Sequence, residues 1–375
     1  MLLTQDQKMI RDAVRAFAQE ELWPHAAQWD RDHTFPRRAH KGLAALGCYG
    51  ICVPEEYGGA GLDYLTLSLV LEEIAAGDGG TSTAISVTNC PYNAILMKYG
   101  TQAQKQQWLV PAARGDILGA FCLTEPHAGS DASAVRTTAT REGGEYALNG
   151  VKQFITSGQN GQAAIVIAVT DKNAGKKGLS AFIVPTSNPG WKVAGLERKL
   201  GQHSSDTAQI LLQDCRIPGQ NRIGEEGEGY KIALSALEGG RIGIASQSVG
   251  MARSALEFAI RYAKEREAFG VPIFEHQAVA FRLADCATRL EAARQLIWHA
   301  AALRDAGQPC LKEAAMAKLF ASEAAEHVCS TAIQTLGGYG VTADFPVERI
   351  YRDVRVCQIY EGTSDVQKII ISRAL

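Results

Sequence analysis

Tyr146-Ala147-Leu148-Asn149-Gly150-Val151-Lys152-Gln153-Phe154 places an Asn-Gly pair between two β-prone runs. Asn-Gly is a strong hairpin signal, because a type I′ turn needs two residues tolerant of positive φ. Working outward, Ala163 to Val169 and Leu179 to Val184 are continuous apolar runs, and Thr207 to Leu212 partly alternates. That is the periodicity of strands. The segment 116–229 is therefore predicted to be a small antiparallel β domain.

On either side the period changes to that of helices. From Thr4 to about Arg114 apolar residues recur three and four apart, as in Ile10, Val14, Phe17 and Ala18, or Leu67, Val70, Leu71 and Ile74. Pro36, Pro54, the run Tyr57 to Gly61, Gly77 to Gly80 and Pro91 mark breaks, so 1–115 is expected to be a helical bundle. From Tyr230 onward, Ala252, Ala255, Leu256, Ala259, Ile260 and Ala263 lay one apolar stripe along a helix predicted to end near Gly270 and Pro272. Further helices are expected over Gln277 to Ala306 and Leu311 to Leu336. Abundant alanine suits close packing in a C-terminal four-helix bundle over 230–375. The fold class is α+β, mostly α.

A chain of 375 residues is long enough for two or three packed subdomains. With 46% hydrophobic and 21% charged residues it reads as an ordinary folded protein. Lys plus Arg number 38 against 40 Asp plus Glu, which gives no reason to expect nucleic acid or a membrane surface as partner. Nine cysteines without a CxxC pair read as reduced thiols. No transmembrane stretch is present, and the N-terminus lacks a signal peptide or an Arg-rich presequence. Cytoplasm is the expected compartment, with a processed organellar protein the alternative.

Several motifs fail in context. Gly338-Tyr339-Gly340-Val341-Thr342-Ala343 has the GxGxxA spacing of a dinucleotide site, but it follows a helix instead of a strand and Pro346 interrupts what should be its helix. Ala174 to Gly178 lacks the spacing and hydroxyl of a P-loop and reads as a charged turn. The eight histidines show no metal-ligand spacing, and no Gly-x-Ser-x-Gly elbow exists. No metal is expected.

Four motifs remain. They are Phe121-Cys122-Leu123-Thr124-Glu125-Pro126-His127-Ala128-Gly129-Ser130-Asp131, Phe154-Ile155-Thr156, Arg266-Glu267-Ala268-Phe269-Gly270 with Gln277, and Ile359-Tyr360-Glu361-Gly362-Thr363-Ser364-Asp365-Val366-Gln367. Gln334-Thr335-Leu336-Gly337-Gly338-Tyr339-Gly340 partners the third. In this order they resemble the acyl-CoA dehydrogenase family over essentially the whole chain.

That resemblance implies bound FAD. Phe121, Leu123, Thr124, Gly129 and Ser130 would meet the flavin, with Ser130 also touching the CoA thioester arm. Phe154, where relatives usually carry Trp, keeps an aromatic face but loses the indole N–H; Thr156 would lie near flavin N5. Arg266, Phe269, Gln277, Gln334, Gly337 and Gly338 would reach the FAD of a neighbouring subunit, where an Arg fork suits pyrophosphate oxygens. Thr363 and Asp365 would lie near the adenosine diphosphate.

Glu361 would be the catalytic base, with Gly362, Glu238 and Arg241 touching substrate. Some relatives place the base immediately before the residue equivalent to Arg241, which here is Gly240. A carboxylate desolvated by substrate and flavin becomes a stronger base. The Glu361 N–H and a ribityl hydroxyl would stabilise the thioester enolate, and hydride would pass to N5, giving a trans-2-enoyl-CoA. The resemblance further implies a homotetramer built as a dimer of dimers, an electron-transfer flavoprotein as acceptor, and a place in fatty acid β-oxidation. Relatives acting on glutaryl-CoA carry Arg at the position taken as Ser82, so a monocarboxylic, short to medium or branched acyl group is expected. The alternative is an oxygen-using flavin oxidase or monooxygenase, or a non-catalytic acyl-CoA-binding relative.

Overall fold

The computed structural model describes residues 2–375. Helix α1 (Gln5–Phe17) begins at a capping box, in which the Thr4 hydroxyl accepts from the Gln7 N–H and the Gln7 side chain accepts from the Thr4 N–H. Then come α2 (Trp23–Asp32), α3 (Arg37–Ala45), α4 (Tyr64–Gly77), α5 (Gly79–Val87), α6 (Ala94–Tyr99), α7 (Gln102–Gln104) and α8 (Val110–Arg114). Between α4 and α5 the expected break over Gly77 to Gly80 narrows to Asp78, whose carboxylate caps α5 by accepting from Thr81 N–H. Helix α4 is buried on nearly every face, as a helix at the junction of two domains must be.

The middle domain holds β1 (Gly119–Cys122), β2 (Thr138–Glu142), β3 (Glu145–Thr156), β4 (Ala163–Val169), β5 (Leu179–Pro185), β6 (Trp191–Leu196), β7 (Thr207–Pro218) and β8 (Arg222–Ile223). They form one sheet in the order β6-β7-β3-β2-β4-β5-β8, with β1 on β4. Pairing is antiparallel except where β1 and one residue of β2 run parallel to β4. The apolar runs of β4 and β5 fill the sheet's interior with residues of negligible exposure.

The Asn149-Gly150 hairpin is not formed. Strand β3 runs through it unbroken, and the β2–β3 turn lies earlier, at Gly143-Gly144. Asn149-Gly150 instead marks a register shift against β7. Asn149 Oδ1 accepts the Asp214 N–H at 2.8 Å, and a Cβ on Gly150 would lie 2.4 Å from Thr137 Oγ1, so the close strand approach requires glycine.

The C-terminal domain comprises α9 (Gly229–Glu265), β9 (Glu267–Ala268), β10 (Val271–Pro272), α10 (Gln277–Asp305), α11 (Leu311–Leu336), α12 (Val347–Val354) and α13 (Ser364–Ser372). Helix α9 stops at Glu265, short of Gly270, because Arg266 turns extended and the chain makes a two-residue hairpin through Phe269 (φ 55°) and Gly270 (φ 83°). The stripe Ala252, Ala255, Leu256, Ala259 and Ala263 is buried as predicted, in a core shared with Leu65 and Leu69 of α4.

Charge ties α4 to its neighbours. Glu73 pairs with Arg15 of α1 at 2.7 Å and Arg253 of α9 at 2.6 Å, and Glu72 pairs with Arg294 of α10 at 2.8 Å. Among the described residues no helix is long and apolar enough to cross a membrane, and no cluster of His, Cys, Asp or Glu could hold a metal. All nine cysteines are unpaired.

Candidate active site

Glu361 lies in the short link between α12 and α13, in the left-handed conformation (φ 55°), and Gly362 follows at φ 90°. Two successive left-handed residues reverse the chain and send the carboxylate back toward α9. A non-glycine residue pays strain for such a conformation and keeps it only where its surroundings enforce it. Thr363 then caps α13 by accepting the Val366 N–H at 3.3 Å.

The carboxylate arrives against Gly240. A Cβ there would stand 1.8 Å from Glu361 Oε1 and 2.8 Å from its Cδ, so the absent side chain at 240 is the space the carboxylate uses. Glu361 Oε1 is buried without a hydrogen-bond partner. Burial pushes the carboxyl up to about 7, against the opposing pull of Arg241 and Lys318. Arg241, next along α9, is 4% exposed, and its Nε and Nη1 are likewise buried and unbonded. The Glu361 N–H makes no hydrogen bond among the described residues. Buried side-chain atoms such as Glu361 Oε1 and Arg241 Nε and Nη1 are rarely left so, and their convergence marks a place for a polar ligand.

Around this turn the three domains are fastened together. Tyr360 Oη donates to Gln247 Oε1 of α9 at 3.0 Å and accepts from Gln202 Nε2 of the middle domain at 3.4 Å. Gln202 N–H also donates to Asp353 of α12, and Ser204 Oγ donates to Asp78 at 2.6 Å. Beneath the turn, Lys318 Nζ donates to Gly362 O at 2.7 Å, and Gln367 Nε2 donates to Gly362 O at 2.8 Å and Glu361 O at 3.2 Å.

A second cluster gathers on the sheet. Gln153 N–H donates to Thr124 O at 2.9 Å, which fastens the loop after β1 beside β3 and brings Leu123 and Thr124 close to Phe154. Phe154 is left-handed (φ 58°) and 62% exposed, and Phe121 and Thr156 are half-buried on adjoining strands. Lys152 and Glu125, neither of which sequence reasoning assigned a role, pair at 2.8 Å under this loop.

A third group surrounds a cavity of about 440 Å³ lined by Arg266, Tyr262, Thr335, Gly337, Gly338 and Tyr339 among others. Arg266 carries no ion pair among the described residues, and a Cβ on Gly337 or Gly338 would meet nothing within 4 Å. An unpaired guanidinium facing open glycine backbone is a donor set suited to phosphate oxygens. With the exposed Phe154 ring beside Thr124, these residues fit an aromatic, phosphate-bearing cofactor such as FAD.

Other expected site residues are less engaged. Gln277 and Gln334 are exposed and do not line that cavity; Phe269 is 96% exposed, and Gly129, Ser130 and Asp365 are exposed too. The Thr363 hydroxyl is occupied as a cap. Glu238 is held by Arg304 Nη1 at 2.8 Å instead of standing free for substrate. Ser82, expected at the distal end of the acyl group, is fully buried with its hydroxyl donated to Leu71 O of α4 at 3.0 Å, so it offers no free group there.

The three domains match, in order, the N-terminal (residues 4–116), middle (120–215) and C-terminal (227–375) domains of acyl-CoA dehydrogenases. The chain is 48% identical over 370 residues to the mitochondrial short-chain specific acyl-CoA dehydrogenase of Rattus norvegicus, covering 99% of this chain and 90% of that protein. The solved butyryl-CoA dehydrogenase from Megasphaera elsdenii superposes with a TM-score of 0.98 at 40% identity, over 100% of this chain and 99% of that one. A chain from a structure of the electron transferring flavoprotein of Acidaminococcus fermentans gives a TM-score of 0.98 at 46% identity, over 100% and 98%. The helical, β and helical layering, matched domain by domain, thus defines a flavoprotein oxidoreductase. The chain belongs to the acyl-CoA dehydrogenase family, and it is an enzyme of that activity.

Proposed function

We propose that the chain oxidises a short-chain acyl-CoA to the trans-2-enoyl-CoA, with Glu361 taking the α-proton. The observation that carries this reading is the Glu361 carboxylate, aimed by a left-handed turn, with one oxygen buried and unbonded and its proton affinity raised to about 7. A thioester α-proton is weakly acidic, and a base transfers it best when its pKa lies near the operating pH. The unbonded Glu361 N–H is suited to the thioester oxygen as charge develops there. Arg241 opposes the effect of burial, so an ionised fraction of the base persists near neutrality.

Bound FAD would supply the acceptor for the β-hydride. Leu123, Thr124, Phe154 and Thr156 would hold the flavin ring, and Arg266, Gly337 and Gly338 the phosphates. Arg241 lies within α9 and Arg266 just past its C-terminal end, 25 residues on, roughly 37 Å away at about 1.5 Å per residue. One flavin at Glu361 cannot also reach the Arg266 of its own chain. A second copy would supply that group, in keeping with a homotetramer. The short acyl chain is supported by the activities named for the rat and Megasphaera proteins, and an electron-transfer flavoprotein as acceptor by the Acidaminococcus structure.

The test is Glu361→Gln in the flavin-loaded protein, mixed anaerobically with butanoyl-CoA. The variant should fold and keep its flavin while bleaching slows by roughly 10²–10⁴-fold. Bleaching at the wild-type rate would place the base elsewhere. Rapid reoxidation of the reduced wild type by air would favour the oxidase alternative.

A further inference from the structure

Lys318 is a lysine of α11 that is fully buried and makes no ion pair among the described residues. It stands on the alanine face of that helix with Ala314, Ala317 and Ala321, all at zero exposure. Burying a lysine without a carboxylate partner carries the desolvation penalty of an isolated ion, so the fold does not keep it for packing. Its single hydrogen bond runs to Gly362 O at 2.7 Å, the carbonyl of the residue after the base. Gln367 Nε2 donates to that carbonyl and to Glu361 O. Both carbonyls of the left-handed turn are thereby held from below.

We propose that Lys318 is a positioning residue for the reaction: its ammonium locks the Glu361-Gly362 turn so that the carboxylate points at Gly240, and its charge sets the pH at which that carboxylate ionises. This inference rests on Glu361 being the base. The charged and titratable groups facing Glu361 are few. Arg241 comes from α9, Lys318 from α11 and Cys90 from the segment before α6; Glu238 acts on Arg241, and Cys357 and Glu323 act on Lys318. Arg304 of α10 is occupied by Glu238 and by the Tyr64 ring. Lys318 and Arg241 are the two cations acting on the base, and only Lys318 also bonds the backbone of its turn, at Gly362 O. Burial lowers the Lys318 ammonium to about 8, while the charge of Glu361 helps keep it protonated. Cation and base thus titrate as a coupled pair.

The experiment follows the pH dependence of anaerobic flavin reduction by butanoyl-CoA in the flavin-loaded wild type, Lys318→Gln, Lys318→Met and Glu361→Gln. Lys318→Gln retains a donor for Gly362 O but no charge, so its midpoint should move up by about one unit or more, with a modest loss of limiting rate. Lys318→Met should show the same shift with a larger loss. An unchanged midpoint in folded, flavin-loaded Lys318→Gln would overturn the proposal, because a merely structural lysine would alter yield or rate and leave the midpoint in place. Gln367→Met removes a neutral donor from the same turn and should slow reduction without moving the midpoint. If neither Lys318 variant folds, an unchanged rate in Gln367→Met overturns the clamp. Reduction at the wild-type rate by Glu361→Gln would instead remove the base assignment itself, an outcome separate from those above.

Discussion

Lys152→Met tests how firmly the loop after β1, proposed to face flavin, is fastened to the sheet. Lys152 is fully buried in β3, where its Nζ donates to Glu125 Oε1 at 2.8 Å and Leu123 O at 3.1 Å. Glu125 also accepts the N–H groups of Arg136 at 2.8 Å and Thr137 at 2.9 Å. Burial pulls the Lys152 ammonium below its usual range. It pulls Glu125 upward, but Lys152 and the backbone donors outweigh it and leave the carboxyl below its ordinary value. With side chains 0% and 2% exposed, the two lie in salt-bridge contact at 2.8 Å. Methionine fills a similar volume, so the loss is electrostatic. Removing one partner of a buried pair typically costs about 3–5 kcal/mol. Since Glu125 keeps two backbone donors, the lower end, about 3 kcal/mol, is expected. Urea unfolding followed by circular dichroism, with flavin content measured in parallel, reads both consequences. The double variant Lys152→Met/Glu125→Gln should recover part of the loss by removing the stranded charge. A Lys152→Met protein within about 1 kcal/mol of the parent, with full flavin, would refute the reasoning.

Gly240→Leu would place side-chain atoms where Glu361 Oε1 now sits; it should retain flavin yet slow reduction by butanoyl-CoA about 10²-fold or more, the usual cost of a misplaced reacting group, and a wild-type rate would show that the carboxylate works from elsewhere. Because the folded Glu361 carboxyl is raised to about 7 and acts when deprotonated, kcat/KM should climb with pH through that value and fall about tenfold per unit below it; a flat profile from acid to neutral pH would contradict this. Arg266→Ala removes the one guanidinium lining the cavity with Gly337 and Gly338, and should release flavin on dilution and dialysis while the helices survive; full retention counts against a phosphate contact there.

Much of the architecture could be read from periodicity. Residues 277 and 311 open long helices and residue 336 closes one, as predicted, because alanine content and apolar spacing are local properties. The Asn-Gly pair misled for a physical reason. The same tolerance of unusual φ that makes a hairpin turn also serves a bulge pressed against Thr137, and which occurs depends on a neighbouring strand. Of the two-residue turns that do form, Phe269-Gly270 carries a phenylalanine where turn statistics favour Asn or Asp. Its placement follows from the motif and not from propensity.

At the site, residue type was legible and support was not. Glu361 could be singled out from its motif, but its left-handed backbone depends on groups 43 and more residues away in sequence, among them Lys318 and Gln247. Lys318 did leave a trace, a lysine on a face of α11 made mostly of alanine. Such a break in an apolar stripe normally signals a solvated edge, and only the tertiary structure places it under the Glu361-Gly362 turn. Gly240 is the converse case. In the sequence it reads as a missing base, whereas in the fold its lack of a side chain is what admits the carboxylate of Glu361. Positions 240 and 361 therefore compete for one volume beside Arg241. A chain with this fold can fill that volume with a carboxylate from either backbone, and the residue left out must be small.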